Sequence, residues 1–87
     1  MEQFEQLDHY GVLGVSRSAT AEEIKRAYRQ QMARYHPDRF AGASPDDRME
    51  AGRRAQRINE AYQVLSDFAA RTAYNRTLAP EARAAGA

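Results

Sequence analysis

An all-α fold is expected for this chain on three observations. β-Branched residues are sparse, while alanine, glutamate, arginine and glutamine, all good helix formers, abound. Apolar residues recur at helical spacing, and no stretch alternates polar and apolar as a half-buried strand would. Four helix-start signals, at Asp8, Thr20, Ser44 and Asp67, punctuate the 87 residues. The architecture that follows is a four-helix domain in which the second and third helices are long and form an antiparallel hairpin. The short first and last helices cover its apolar ends.

The first helix is a turn or two. Asp8 caps it, and Gly14, free to take the left-handed conformation, stops it after Leu13. Tyr10, Leu13 and Val15 are expected to face inward, with Phe4 and Leu7 adding apolar contact from residues 1–7, an N-terminal extension. The second helix opens with a capping box, Thr20-Ala21-Glu22-Glu23, in which hydroxyl and carboxylate satisfy each other's backbone donors. It runs from Ala21 to Tyr35 with Ile24, Ala27, Tyr28, Met32 and Tyr35 as its inner stripe. Gln31 also falls on that stripe, which predicts looser packing at its level.

A connection through Phe40 and Gly42 leads to Ser44, a cap, and Pro45, suited to the first helical position. Asp46 and Asp47 complement the dipole of the third helix, which extends to about residue 66. Ala51, Ala55, Ile58, Ala61, Tyr62 and Leu65 form its inner side, with Arg53, Arg54 and Arg57 pointing elsewhere. Asp67 caps a last helix carrying Ala70, Ala73, Tyr74 and Leu78 before Pro80, and this helix is expected to cover an apolar end of the hairpin. The ordered domain is thus expected over residues 8–78, followed by a disordered tail at 79–87.

Composition narrows the function. With no cysteine and two histidines, His9 and His36, the chain has neither disulfides nor enough ligands for a zinc site. No cofactor motif and no apolar run of membrane-spanning length is present, and no leader is recognisable, so a cytoplasmic location is expected. The net charge of +1 gives no global attraction to nucleic acid, but the charge is unevenly placed. Glu2, Glu5 and Asp8 stand together without a base, whereas Lys25, Arg26, Arg29, Arg34 and Arg39 gather on and just after the second helix.

The most informative run is Tyr35, His36, Pro37, Asp38, Arg39. Pro37 has no backbone donor and its ring clashes with the preceding turn, so the helix ends near Tyr35 and His36 leaves helical dihedrals. An imidazole and a carboxylate are then held on a short rigid stretch. Alone, the tripeptide reads more readily as a helix stop with two ordinary polar neighbours. At the tip of the hairpin, beside Lys25, Arg26 and Arg29, it becomes part of one charged surface suited to recognising a partner.

These blocks resemble the J-domain of DnaJ-type co-chaperones over residues 8–75. Tyr10, Leu13, Gly14 and Val15 match its opening, and residues 21–29, Ala-Glu-Glu-Ile-Lys-Arg-Ala-Tyr-Arg, match its second helix. His36, Pro37 and Asp38 match its His-Pro-Asp signature, residues 58–67 its third-helix string, and Arg71 and Tyr74 its close. The order from His36 to Ala41 is also similar to J-domains of iron-sulfur-assembly co-chaperones. There are departures: Ala55 stands where a phenylalanine is frequent, with Phe40 a partial substitute, Gln30 and Gln56 replace bases, and Phe68 and Asn75 replace proline and aspartate.

The resemblance implies a non-enzymatic activator of a DnaK-type heat-shock chaperone ATPase, acting as a monomeric domain. It implies docking through Lys25, Arg26 and Arg29 of the helix and His36, Pro37, Asp38 and Arg39 of the loop. An adaptor of the same fold that stimulates no ATPase is the alternative. A nucleic-acid reading is opposed by the near-zero net charge, and an enzymatic one by the absence of a nucleophile motif, glycine-rich phosphate loop or metal cluster. Tyr28, Tyr35, Tyr62 and Tyr74 are read as packing residues, with the Tyr28 hydroxyl at the edge of the docking face.

Overall fold

The computed structural model describes residues 7–78. Phe4 and the 79–87 tail lie outside the described residues.

Four α-helices and one 3-10 turn make up the described fold: α1 (His9–Leu13), α2 (Ala21–Tyr35), the 3-10 turn (Pro37–Phe40), α3 (Pro45–Leu65) and α4 (Phe68–Thr77). Each start signal read from the sequence operates as a cap. Asp8 accepts from the Gly11 N–H at 2.7 Å, Ser44 from Asp47 at 3.1 Å and Asp67 from Ala70 at 2.8 Å. At α2 the box is closed in both directions, Thr20 N–H to Glu23 Oε1 at 2.8 Å and Glu23 N–H to Thr20 Oγ1 at 3.1 Å. Gly14 takes φ 77°, the left-handed stop that a side chain would strain.

The core sits where α1 lies across the α2–α3 hairpin. Tyr10, Val12 and Leu13 of α1, Ile24 and Ala27 of α2, and Ile58, Ala61 and Leu65 of α3 form one buried cluster with Ala19. Val12 was not among the residues expected inside. A five-residue helix wedged against both α2 and α3 buries more than one of its faces, so a single-stripe pattern misses part of it. Val15, by contrast, is half-buried at the margin. Ala51 and Ala55 are buried farther along α3, where the 3-10 turn carrying half-buried Phe40 packs against the same helix. The hairpin is flanked by an aromatic stack, Tyr28 on Tyr62 with ring centroids 4.2 Å apart and planes at 18°. Gln31, Met32 and Tyr35 are half-buried, in keeping with a core that thins toward the hairpin tip.

Two expectations are refined. The first concerns α4, which buries no residue: Ala73 is exposed and Ala70, Tyr74 and Leu78 are only half-buried. Tyr74 and Leu78 still pack against the core cluster, and polar contacts add to their hold. Arg71 donates from Nε to the Tyr10 hydroxyl at 3.0 Å and from Nη2 to the Arg17 and Ala19 carbonyls at 3.1 and 2.8 Å. The Tyr10 hydroxyl donates to Asn75 Oδ1 at 2.6 Å, and the His9 N–H donates to the Tyr74 hydroxyl at 2.9 Å. The second concerns Arg54 and Arg57, which fold onto the domain, while Arg53 stays exposed and pairs with Glu50. Arg54 lies over the Tyr35 ring, 5.2 Å from its centroid. Arg57 donates to the Leu7 carbonyl at 2.9 Å and so ties down the chain entering α1.

Ile58 is fully buried, so Ile58→Ala removes side-chain volume that the surrounding helices cannot refill. It is expected to cost about 2–5 kcal/mol in urea denaturation.

His9 supplies a pH-dependent term. Its ring lies 4.4 Å from that of Tyr74, and its Nδ1 is buried without a hydrogen-bond partner. Burial, and then the Arg57 charge, hold its pKa below the ordinary 6.5, against the opposing pull of Glu60 and Asp8. A histidine with a depressed folded-state pKa binds protons better when unfolded, so its contribution is intact above about pH 6.5 and is lost as pH falls through the folded-state value. Between about pH 7.5 and about 5.5 the wild-type urea midpoint should therefore fall more than that of His9→Phe, whose ring keeps the stack but cannot titrate.

Candidate functional site at the proline corner

His36 serves two elements at once. Its N–H closes the last turn of α2 on the Met32 carbonyl at 2.9 Å. Its Nδ1 accepts the Asp38 N–H at 3.2 Å and so caps the 3-10 turn. The backbone between these roles is extended, φ −61° and ψ 135°, as the following proline demands. An accepting Nδ1 means that the neutral ring carries its proton on Nε2. Pro37 takes the first position of the 3-10 turn, where no intrahelical donor is needed. The Arg39 N–H returns to the His36 carbonyl at 2.9 Å.

This scaffold holds the Asp38 carboxylate out: its side chain is 93% exposed, with Oδ2 3.7 Å from His36 Nδ1. It stands at the tip of the hairpin, in the 3-10 turn that follows α2. Arg39, which also counted among the sequence candidates, turns back, its Nη1 donating to the Ala33 carbonyl at 3.1 Å.

Lys25, Arg26 and Arg29 are all exposed on α2, and among the described residues no ion pair engages them. At 100° per residue, Lys25, Arg29 and His36 fall within about 40° of one another around the helix, spread over roughly 16 Å of its length. Arg26 stands about 60° away from Arg29 and lines a groove floored by Leu13, Val15, Ala19 and Ala27. Lys25, Arg29 and the corner therefore make one strip, and Arg26 marks its edge. The Tyr28 hydroxyl donates to Asn59 Oδ1 at 2.8 Å, bridging α2 to α3. Asn59 escaped notice in the sequence because nothing local links it to a tyrosine 31 positions away.

The other arginine-rich helix offers no comparable face. Glu50 accepts from Arg53 and Arg54, both at 2.8 Å, and these bonds hold its carboxyl below its ordinary pKa. Arg57 is shared between Glu60 at 3.3 Å and the Leu7 carbonyl. No group of three or more potential metal ligands occurs among the described residues, and none of their helices is long and apolar enough to cross a membrane.

Residues 8–75 match the family model of the DnaJ domain. The chain belongs to the DnaJ-domain family. It is 41% identical over 70 residues to the adaptation to cold protein J of Shewanella oneidensis, covering 80% of this chain and 74% of that one. The chaperone protein DnaJ of Wolinella succinogenes is 50% identical over 72 residues, which cover 83% of this chain. This chain spans only 18% of the length of that DnaJ. A solution structure of the J-domain of a mouse DnaJ-like protein superimposes with a TM-score of 0.75 at 25% identity, covering 94% of this chain and 88% of that one. The fold is thus a J-domain, the module of a co-chaperone family, and the proline corner is the loop between its two long helices.

Proposed function

We propose that this J-domain binds a DnaK-type heat-shock chaperone and stimulates its ATP hydrolysis, performing no chemistry itself. The observation that carries the reading is the arrangement of Asp38. Its carboxylate is solvent-facing on a backbone pinned from both sides, just past the end of the helix that carries exposed Lys25 and Arg29.

A carboxylate so presented can accept a bidentate, charge-assisted pair from an arginine of the partner, and this pair would set the productive register. The strip formed by Lys25, Arg29 and the neighbouring Arg26 suits an acidic surface and would govern encounter rate and salt sensitivity more than final affinity. His36 and Pro37 hold Asp38 at the distance this register requires, with the Nε2–H of His36 available as a further donor. Stimulated hydrolysis would commit the chaperone to its client polypeptide. Cytoplasmic action as a monomeric domain accords with this role. The internal pairing of Arg53, Arg54 and Arg57 favours a protein partner over nucleic acid, since it withdraws three of the arginines that could meet phosphates.

Single-turnover ATP hydrolysis by a DnaK-type chaperone tests the proposal against an adaptor of the same fold. The wild-type domain is expected to accelerate hydrolysis and Asp38→Asn to abolish the acceleration. No acceleration by the wild type, or equal acceleration by Asp38→Asn, would refute it.

Arg29→Ala separates docking from folding. Its unfolding free energy should stay within about 0.5 kcal/mol of wild type, because the side chain is exposed and unpaired. Stimulation should need more domain and depend less on salt. An unchanged salt profile would remove Arg29 from the docking strip.

A further inference from the structure

Pro37 does more than end α2. In an α-helix the carbonyl of residue 33 bonds the N–H of residue 37, and here that position is a proline with no N–H to give. Met32, one residue earlier, is satisfied by the His36 N–H. The Ala33 carbonyl is the one that the proline orphans. The Arg39 guanidinium fills the place, Nη1 donating to that carbonyl at 3.1 Å. Its charge also lies at the negative end of the α2 dipole, where a cation is favoured.

This bond closes a ring around His36, Pro37 and Asp38. Two shorter links lie inside it, the Asp38 N–H to His36 Nδ1 at 3.2 Å and the Arg39 N–H to the His36 carbonyl at 2.9 Å. Arg39 is therefore fastened to the end of α2 by both its backbone and its side chain, while Lys25 and Arg29 remain open to solvent. A charged donor bonds a carbonyl more strongly than a neutral one, and the planar guanidinium can do so with little loss of further freedom.

We infer that Arg39 is a positioning residue: it replaces the donor that Pro37 lacks and, by clamping the 3-10 turn to the end of α2, fixes the direction of the Asp38 carboxylate. It is not simply one more cation for the partner to bind. The kinetic part of this inference rests on the ATPase-stimulating role proposed above. The clamp is a property of the free domain.

Two measurements on Arg39→Met and Arg39→Lys test it. In the free domain, NMR of Arg39→Met should show the Ala33 carbonyl 13C resonance moving upfield, as it does when a hydrogen bond is lost. The Asp38 amide should show a reduced heteronuclear NOE, and Arg39→Lys should return both signals toward wild type. In single-turnover hydrolysis, Arg39→Met should lower the rate at saturating domain roughly tenfold, with the half-saturating concentration changed by less than about twofold. Arg39→Lys should recover most of that rate. Unmoved Ala33 and Asp38 signals in Arg39→Met would overturn the clamp. A raised half-saturating concentration with an unchanged maximum would make Arg39 an ordinary partner contact. If the wild-type domain stimulates no hydrolysis, the proposed function fails, and the NMR comparison still decides the clamp.

Discussion

Pro37 has no N–H, and that missing donor sets the geometry of one end of the molecule. It stops α2 at Tyr35, turns His36 into an extended residue that caps two elements, and begins the 3-10 turn that directs the chain toward α3. An uninterrupted helix would carry Asp38 around the barrel of α2, two residues from His36 and so on a different face. The interruption puts imidazole and carboxylate on one corner. Almost every polar group there has a local partner, which leaves the Asp38 carboxylate as the group most available to another molecule.

The rest of the fold supports that corner with little material. The seam between the long helices is lined largely by alanines, with Ile24 and Ile58 as its fully buried large residues, and small side chains allow the two backbones to approach closely. Larger apolar groups collect at the other end, where Tyr10 and Leu13 of α1 complete the cluster. Toward the tip, Tyr28 with Tyr62 and Tyr35 with Arg54 cover the flanks while remaining partly open to water. Ala55, where related domains often carry an aromatic, is consistent with this slender seam.

What the sequence made legible was local. Caps, the left-handed stop at Gly14 and the proline interruption depend on residues within three or four positions of one another, and each was readable because its chemistry is complete in a short window. The inner stripes of α2 and α3 were readable because long helices repeat their pattern. Val12 was missed for the complementary reason: α1 is too short for its periodicity to separate one covered face from two. The extent to which α4 covers the core was equally hidden, since it leans on its neighbours by one edge only. At the site, residue identities were visible and their division of labour was not. The acceptor of Arg39 and two of those of Arg71 are backbone carbonyls, which carry no mark in a sequence, and the partners of Arg71 lie more than 50 positions away.

The attachment of α4 has a mechanical corollary. Because α4 follows the far end of α3, its last turns lie beside α1, with the 21 residues of α3 between them and the proline corner, a span of roughly 31 Å. α4 is joined there by directional bonds from Arg71, Asn75 and Tyr74, which fix its angle better than apolar contact of equal strength would. The hairpin thus acts as a spacer, holding the proline corner and an angularly defined α4 apart by the length of α3.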